Sequence, residues 1–162
     1  MNTSSLFSEI DRAITESRTS GDQFATMIID IDGFDLVNLE FGYQTGDAVL
    51  TGVKQRIENC IRDTDIVRRW QEDSFVAVLY GSPTLVDVEL IRRRLAECVS
   101  APHIIGENII YVRVTVGVVN FVVSPESTKA CLNISEHALN RAKRRGWSGF
   151  HYEEILDPRA AA

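Results

Sequence analysis

The stretch Arg69-Trp70-Gln71-Glu72-Asp73-Ser74-Phe75 joins two runs of strand-forming residues, Asp65-Ile66-Val67-Arg68-Arg69 and Phe75-Val76-Ala77-Val78-Leu79-Tyr80. The polar residues between the runs read as the turn of a β-hairpin. Upstream of it, Val49, Leu50, Val53, Ile57, Cys60 and Ile61 form one apolar face at helical spacing. Further upstream, Phe24-Ala25-Thr26-Met27-Ile28-Ile29-Asp30 is β-branched and too short for a typical helix. It reads as a buried central strand ending in acids.

The rest of the chain extends this pattern. Leu6, Phe7, Ile10, Ala13 and Ile14 recur at helical spacing between Ser4 and Ser20, and Gly21 stops them. A short helical stretch follows Asp32-Gly33, and Thr45-Gly46-Asp47 opens the longer helix. After the hairpin, a helix over 85–99 is expected to bury Val88, Ile91, Leu95 and Cys98 before Pro102 ends it. Residues 109–119 are the most β-prone run and are expected to form one long central strand. Ser124 to Thr128 reads as loop, 130–145 as a helix stopped by Gly146, and Phe150-His151-Tyr152 as a closing strand. Strands alternating with helices around a central hairpin predict an α/β or α+β sandwich, one sheet covered by helices.

Composition bounds the function. With 162 residues, 44% of them hydrophobic, the chain supports one domain with a proper core. A single domain over 1–156 is expected, with 157–162 as a linker or tail and a larger parent protein left open. The 17 basic and 23 acidic residues give a net charge of −6 without a basic block. No affinity for nucleic acid or an anionic membrane surface is expected from bulk charge, so any phosphate binding must be local. Cys60, Cys98 and Cys131 are odd in number and form no C-x-x-C pair, which speaks against a disulfide framework or a zinc site and for a reducing, cytoplasmic setting. No leader segment or membrane span is read.

Asp30 and Asp32 lie two apart, on one face if the strand continues through both. Carboxylates at a strand end suit a hard cation such as Mg²⁺, whose remaining partners are commonly phosphates, and Asp73 in the hairpin turn supplies a third acid if the strands are neighbours. The same pair serves equally as a strand-end or helix-cap device. His103, His137 and His151 have no ligand spacing.

Asp30-Ile31-Asp32-Gly33-Phe34, Asn38, Phe41-Gly42 and Gly46-Asp47 follow one another in the order and spacing of a known family. Val114-Thr115-Val116-Gly117-Val118, Ala138-Leu139 and Arg141-Ala142-Lys143-Arg144-Arg145-Gly146 continue the pattern. Together they make the chain resemble the GGDEF family of diguanylate cyclases over almost its whole length, with Gln71 to Phe75 at the family's catalytic turn. The resemblance implies an adenylyl cyclase-like palm fold, with a five-stranded, mainly antiparallel sheet flanked by helices. It implies Mg²⁺ on Asp30, the Ile31 carbonyl and Asp73, and guanine read by Asn38 and Asp47. It also implies residual catalytic roles for Asp73 and, as a phosphate contact, Lys143. Family members condense two GTP molecules into cyclic di-GMP across an antiparallel pair of domains.

The departures fall at the turn. Gln71 and Glu72 stand where the family has glycines whose backbone N–H groups approach the phosphates. At about 4 Å and an effective dielectric of about 20, the charge on Glu72 repels a unit negative charge by roughly 4 kcal/mol before screening. A third of that weakens binding roughly tenfold. Ser74 replaces the second turn acid, and loss of a positioned base or charge-stabilising group commonly removes about two to four decades of rate. Asp35, Leu39 and Tyr43 occupy positions usually basic, acidic and histidine, and Trp147 stands where a phosphate-binding arginine is expected. Arg62-Asp63-Thr64-Asp65 has the spacing of the family's R-x-x-D product site, where Arg62 and Asp65 would bind cyclic di-GMP; the same residues also read as a helix-end charge and the start of a strand. Three functions follow as expectations: a regulatory or receptor module without efficient cyclase activity, a weak cyclase, or a nucleotide-independent interaction module. Partners implied are GTP or cyclic di-GMP, a second copy, or another signalling domain.

Overall fold

The computed structural model describes residues 3–157. Along the chain the elements are α1 (Thr3–Ser20), β1 (Phe24–Ile31), α2 (Phe34–Phe41), α3 (Tyr43–Cys60), β2 (Ile66–Arg69) and β3 (Ser74–Leu79). They continue as α4 (Leu85–Ser100), β4 (His103–Ile105), β5 (Asn108–Ile110), β6 (Val114–Phe121), α5 (Thr128–Lys143) and β7 (Phe150–Ile155). Most of the expected tail, residues 158–162, lies outside the described residues.

Every residue of β1 is buried. A strand turns successive side chains to opposite faces, so β1 feeds two cores. Ala25, Met27, Ile29 and Ile31 enter the core under α3 and α4, while Phe24 and Ile28 enter the core under α1 and α5. Asp30 shares the parity of Phe24 and Ile28, and so faces α5. The five strands lie in the order β2-β3-β1-β6-β7. All neighbours are antiparallel except β6 and β7, which run parallel. The expected five-stranded, mainly antiparallel sheet flanked by helices is the fold observed.

Local chemistry sets the helix ends. At the start of α4, the Thr84 hydroxyl accepts from the Asp87 N–H at 3.2 Å while the Asp87 carboxylate accepts from the Thr84 N–H at 2.8 Å. This reciprocal cap satisfies two donors that the first helical turn leaves open. Ser127 accepts from the Ala130 N–H at 3.1 Å, which starts α5 at Thr128, two residues before the periodicity predicts. Helix α5 then lies directly on β6. A Cβ added at Gly117 would sit 2.4 Å from the Leu139 nitrogen, so the absence of a side chain there lets the helix approach.

Two expectations are corrected. The long strand predicted over 109–119 is two strands: β5 ends at Ile110 and β6 begins at Val114. β5 pairs instead with β4, matching His103 with Ile110 and Ile104 with Ile109 in a separate two-stranded ribbon. Gly106, at φ 61°, supplies the left-handed turn residue between them. High strand propensity spoke for extended backbone but not for which partner it would take. Cys98, expected inside, is exposed on the flank of α4. No helix among the described residues is long and apolar enough to cross a membrane.

Candidate functional site

The end of β1 and the hairpin turn meet through the backbone. Asp30 pairs with Ser74 of β3 on one side and Thr115 of β6 on the other. The Ile31 N–H donates to the Asp73 carbonyl at 3.0 Å. The turn is therefore welded to the strand that carries Asp30.

Asp30 is only 8% exposed, and its Oδ2 lies 3.0 Å from Lys143 Nζ at the end of α5. Burial pushes the Asp30 carboxyl up to about 6; Lys143 pulls it back down and the charge of Asp73 adds to the rise. Because this value lies above the ordinary 3.8, Asp30 favours the folded state fully below that ordinary value, and the contribution is lost as pH rises through about 6. In metal-free protein, Asp30→Asn is expected to remove a pH-dependent share of stability on the order of 2 kcal/mol between pH 4 and 7. Urea midpoints of the two proteins across that range check this.

Asp32 takes no part in this cluster. Its Oδ1 accepts from the Thr115 hydroxyl at 2.6 Å and its Oδ2 from the Ser148 N–H at 2.7 Å. Of the two carboxylates in the Asp-x-Asp pair, this one ties β1 to β6 and to the loop after α5. Trp147 rests on Gly33, where an added Cβ would meet the ring at 2.7 Å, and Arg113 lies over its face at 5.7 Å.

A cavity of about 480 Å³ opens between α2, the start of α3 and the turn. Phe34, Asp35, Asn38, Leu39, Tyr43, Glu72 and Asp73 line it. Three of these are carboxylates, and no lysine or arginine is among them. Asn38 is held by close packing: a Cβ on Gly46 would fall 1.8 Å from its Oδ1, so only glycine leaves room for the amide. Asp47, the next residue of α3, is exposed but does not itself line the cavity. A smaller cavity of about 160 Å³ on the other side of the turn is bordered by Asp30, Asp73, Glu136 and Lys143. Asp73 borders both.

The turn carries its side chains without backbone strain. Among the described residues other than glycine, only Ser82 and Ser148 have positive φ, so Gln71 and Glu72 occupy ordinary backbone. The Ser74 hydroxyl accepts from the Gln71 N–H at 3.1 Å, and Arg69 donates to the Glu72 carbonyl at 2.8 Å. Glu136 of α5 accepts from Trp70 Nε1 at 3.0 Å and from Gln71 Nε2 at 3.5 Å. Nothing in the sequence singles out Glu136; it reaches the turn only because α5 presses on β6.

Arg62 and Asp65 form a separate constellation between α3 and β2. The Asp65 side chain is fully buried and accepts from the Arg62 N–H at 3.1 Å, Arg62 Nε at 3.1 Å and the Tyr80 N–H at 3.0 Å. Arg62 Nη2 also donates to the Tyr80 carbonyl at 2.6 Å. The arginine remains 43% exposed, so of the pair only Arg62 presents a surface to solvent.

The donors fit Mg²⁺ in type: two carboxylates, Asp30 and Asp73, and the Ile31 carbonyl are hard oxygen ligands, and Mg²⁺ usually takes one or two carboxylates beside phosphates and water. Among the described residues no group of three or more His, Cys, Asp or Glu is placed to hold a metal by itself.

Residues 1–148 match the family described as "Diguanylate cyclase, GGDEF domain". Diguanylate cyclase DosC of Escherichia coli is 33% identical over 138 residues, covering 83% of this chain and 29% of that protein. Among solved structures, the GGDEF domain of TpbB (YfiN) from Pseudomonas aeruginosa superposes with a TM-score of 0.84 at 26% identity, covering 96% of this chain and 91% of that one. Diguanylate cyclase SiaD from the same organism, solved with its activator SiaC, gives 0.84 at 25% identity over 91% of this chain and 56% of its own. The chain belongs to the GGDEF family. It spans between 16% and 35% of the length of the curated relatives it matches.

Proposed function

We propose that this chain is a GGDEF domain without efficient cyclase activity that serves as a regulatory module in cyclic di-GMP signalling. The observation that carries the reading is the cavity beside the turn, lined by Asp35, Glu72 and Asp73 and by no cation. A nucleoside triphosphate there brings several negative charges against three more. Lys143 does not offset them, because its ammonium is held by Asp30. The turn is also rebuilt for another role: Ser74, Arg69 and Glu136 hold it in a form that uses side chains where a phosphate cradle needs bare backbone.

When bound, Mg²⁺ would neutralise phosphate charge and polarise the reacting oxygens. Asp30, the Ile31 carbonyl and Asp73 are the groups that would hold it, and Asn38 with Asp47 would read guanine. That Asp30, Asp73 and Lys143 remain together favours a second reading, a weak cyclase making cyclic di-GMP from two GTP. A third role, cyclic di-GMP reception through Arg62 and Asp65, would use the exposed arginine while Asp65 orients it.

Calorimetric titration tests why the cavity disfavours GTP. With Mg²⁺ present, the Gln71→Gly/Glu72→Gly double variant is expected to bind GTP at least tenfold more tightly than the unaltered protein. Equal affinities would show that the turn is not what excludes the nucleotide. Cyclic di-GMP binding lost in Arg62→Ala supports the receptor role; no heat with either nucleotide leaves a domain that acts through protein contact.

A further inference from the structure

A further cavity, of about 140 Å³, lies on the α4 face of the sheet, between the second half of α4 and the starts of β6 and β7. Its apolar walls are Leu95, Val99, Val114 and Val116, all buried, with Phe150 beside them. The charged residues that line it are of one sign: Arg92 and Arg113, accompanied by Ser100 and Ser148, and no carboxylate. The cavity beside the turn has the opposite character, with three carboxylates and no cation. In a chain of net charge −6, a hollow bordered only by cations is a local reversal of the overall field.

The two arginines differ in how far they are neutralised. Arg92 pairs with Glu89 at 3.1 Å and lies 4.9 Å from the centre of the Phe150 ring. Arg113 is exposed and has no acidic partner among the described residues; its guanidinium lies over Trp147 at 5.7 Å. The walls are fastened through the backbone. The Arg113 carbonyl accepts from the Asp32 N–H at 2.8 Å, and the Ser148 N–H donates to Asp32 Oδ2 at 2.7 Å. The Gly149 carbonyl accepts from the Val116 N–H at 3.0 Å. The hollow is therefore formed before any ligand arrives, which lowers the ordering cost of filling it.

We propose that this cavity binds a small carboxylate with a compact apolar body, of the benzoate class. An aliphatic-lined hollow of about 150 Å³ holds one benzene ring, which sets the size of the apolar part. The ring packs against Leu95, Val99 and Val116, and the carboxylate stays at the exposed rim. There it accepts charge-assisted hydrogen bonds from Arg113, whose charge is otherwise uncompensated, while Arg92 adds a second positive charge. Inorganic phosphate would leave the apolar walls unfilled, and a neutral hydrocarbon would leave Arg113 unused. Arg113 and Ser148 are both tied to Asp32, directly after β1, so occupancy would join α4 to the strand end that carries Asp30. The site stands whether or not the turn acts on GTP, because none of its lining residues borders either cavity at the turn.

The test titrates the full chain with sodium benzoate by calorimetry. Saturable binding with a Kd on the order of 0.1–1 mM is expected. Acetate, which lacks the ring, and benzamide, which lacks the charge, are each expected to bind at least about tenfold more weakly. Arg113→Ala, an exposed change, is expected to weaken benzoate binding about tenfold or more. Ala96→Phe, on the exposed flank of α4, is expected to fill the hollow and abolish binding while the protein remains folded by circular dichroism. In amide NMR spectra the largest benzoate-induced shifts are expected at Arg113, Ser148 and Gly149. No saturable binding up to about 10 mM benzoate, tenfold beyond the expected range, would overturn the proposal. So would benzamide binding as tightly as benzoate, unchanged affinity in Arg113→Ala, or shifts centred on the turn instead.

Discussion

Asp65→Ala is expected to lower the unfolding free energy by roughly 3–5 kcal/mol. The reason is accounting of donors. The fully buried carboxylate accepts from the Arg62 N–H, the Arg62 guanidinium and the Tyr80 N–H; in the alanine variant the half-exposed guanidinium can turn to water, but the two backbone N–H groups lose the buried acceptor built for them. It also releases the link that fixes the end of α3 to the end of β3. Arg62→Ala is expected to cost only about 1 kcal/mol, because the arginine is 43% exposed and Asp65 keeps its backbone donors. Equilibrium urea unfolding of both variants measures the contrast. Equal and small losses would mean that the pair is a surface ion pair and not a structural joint. The same contrast makes Arg62→Ala the variant to use in cyclic di-GMP titrations, since loss of binding in Asp65→Ala would be confounded with loss of fold.

Gly117→Val is expected to destabilise by roughly 2–4 kcal/mol and to move α5 away from the sheet. A first side-chain carbon at this position would already lie 2.4 Å from the Leu139 backbone nitrogen and 2.7 Å from the Ala138 carbonyl carbon. Backbone of a packed helix cannot yield as a flexible side chain does, so the helix itself must shift. The shift has a local signature. Lys143 at the end of α5 would leave Asp30, and Glu136 would leave Trp70. Trp70 fluorescence, followed beside the urea transition, is expected to change in the folded baseline of Gly117→Val. An unchanged baseline with full stability would show that α5 is not held by this contact.

The order and nature of the sheet-forming segments were legible because β1 and β3 are covered on both faces and so read as continuous apolar runs. The helices were legible from one-sided periodicity, as in Leu6, Ile10, Ala13 and Ile14 of α1. The break between β5 and β6 was not. Ile109 to Val119 is uniformly strand-prone, and only the run His103-Ile104-Ile105-Gly106-Glu107-Asn108 hints that part of it pairs backwards through a tight turn.

The site divides in the same way. Asp30, Asp73, Asn38 and Asp47 were recognisable as a spaced pattern, yet parity decides what Asp30 meets, and parity sends it to Lys143. The roles of Glu136 and Ser74 were invisible, since they depend on a helix and a strand meeting from distant parts of the chain. Asp32 looked like the partner of Asp30, but hydrogen bonds from Thr115 and Ser148 commit it to holding strands together. The turn is also fastened in a way its residue types alone do not show, through side-chain hydrogen bonds of Arg69, Ser74 and Glu136.

The proposed lack of turnover at this hairpin turn can be tested directly. The direct measurement is purified protein incubated with GTP and either Mg²⁺ or Mn²⁺, with cyclic di-GMP quantified over time. The prediction is no product above that formed by Asp73→Ala under the same conditions; sustained cyclic di-GMP formation by the unaltered protein, abolished in Asp73→Ala, would contradict it.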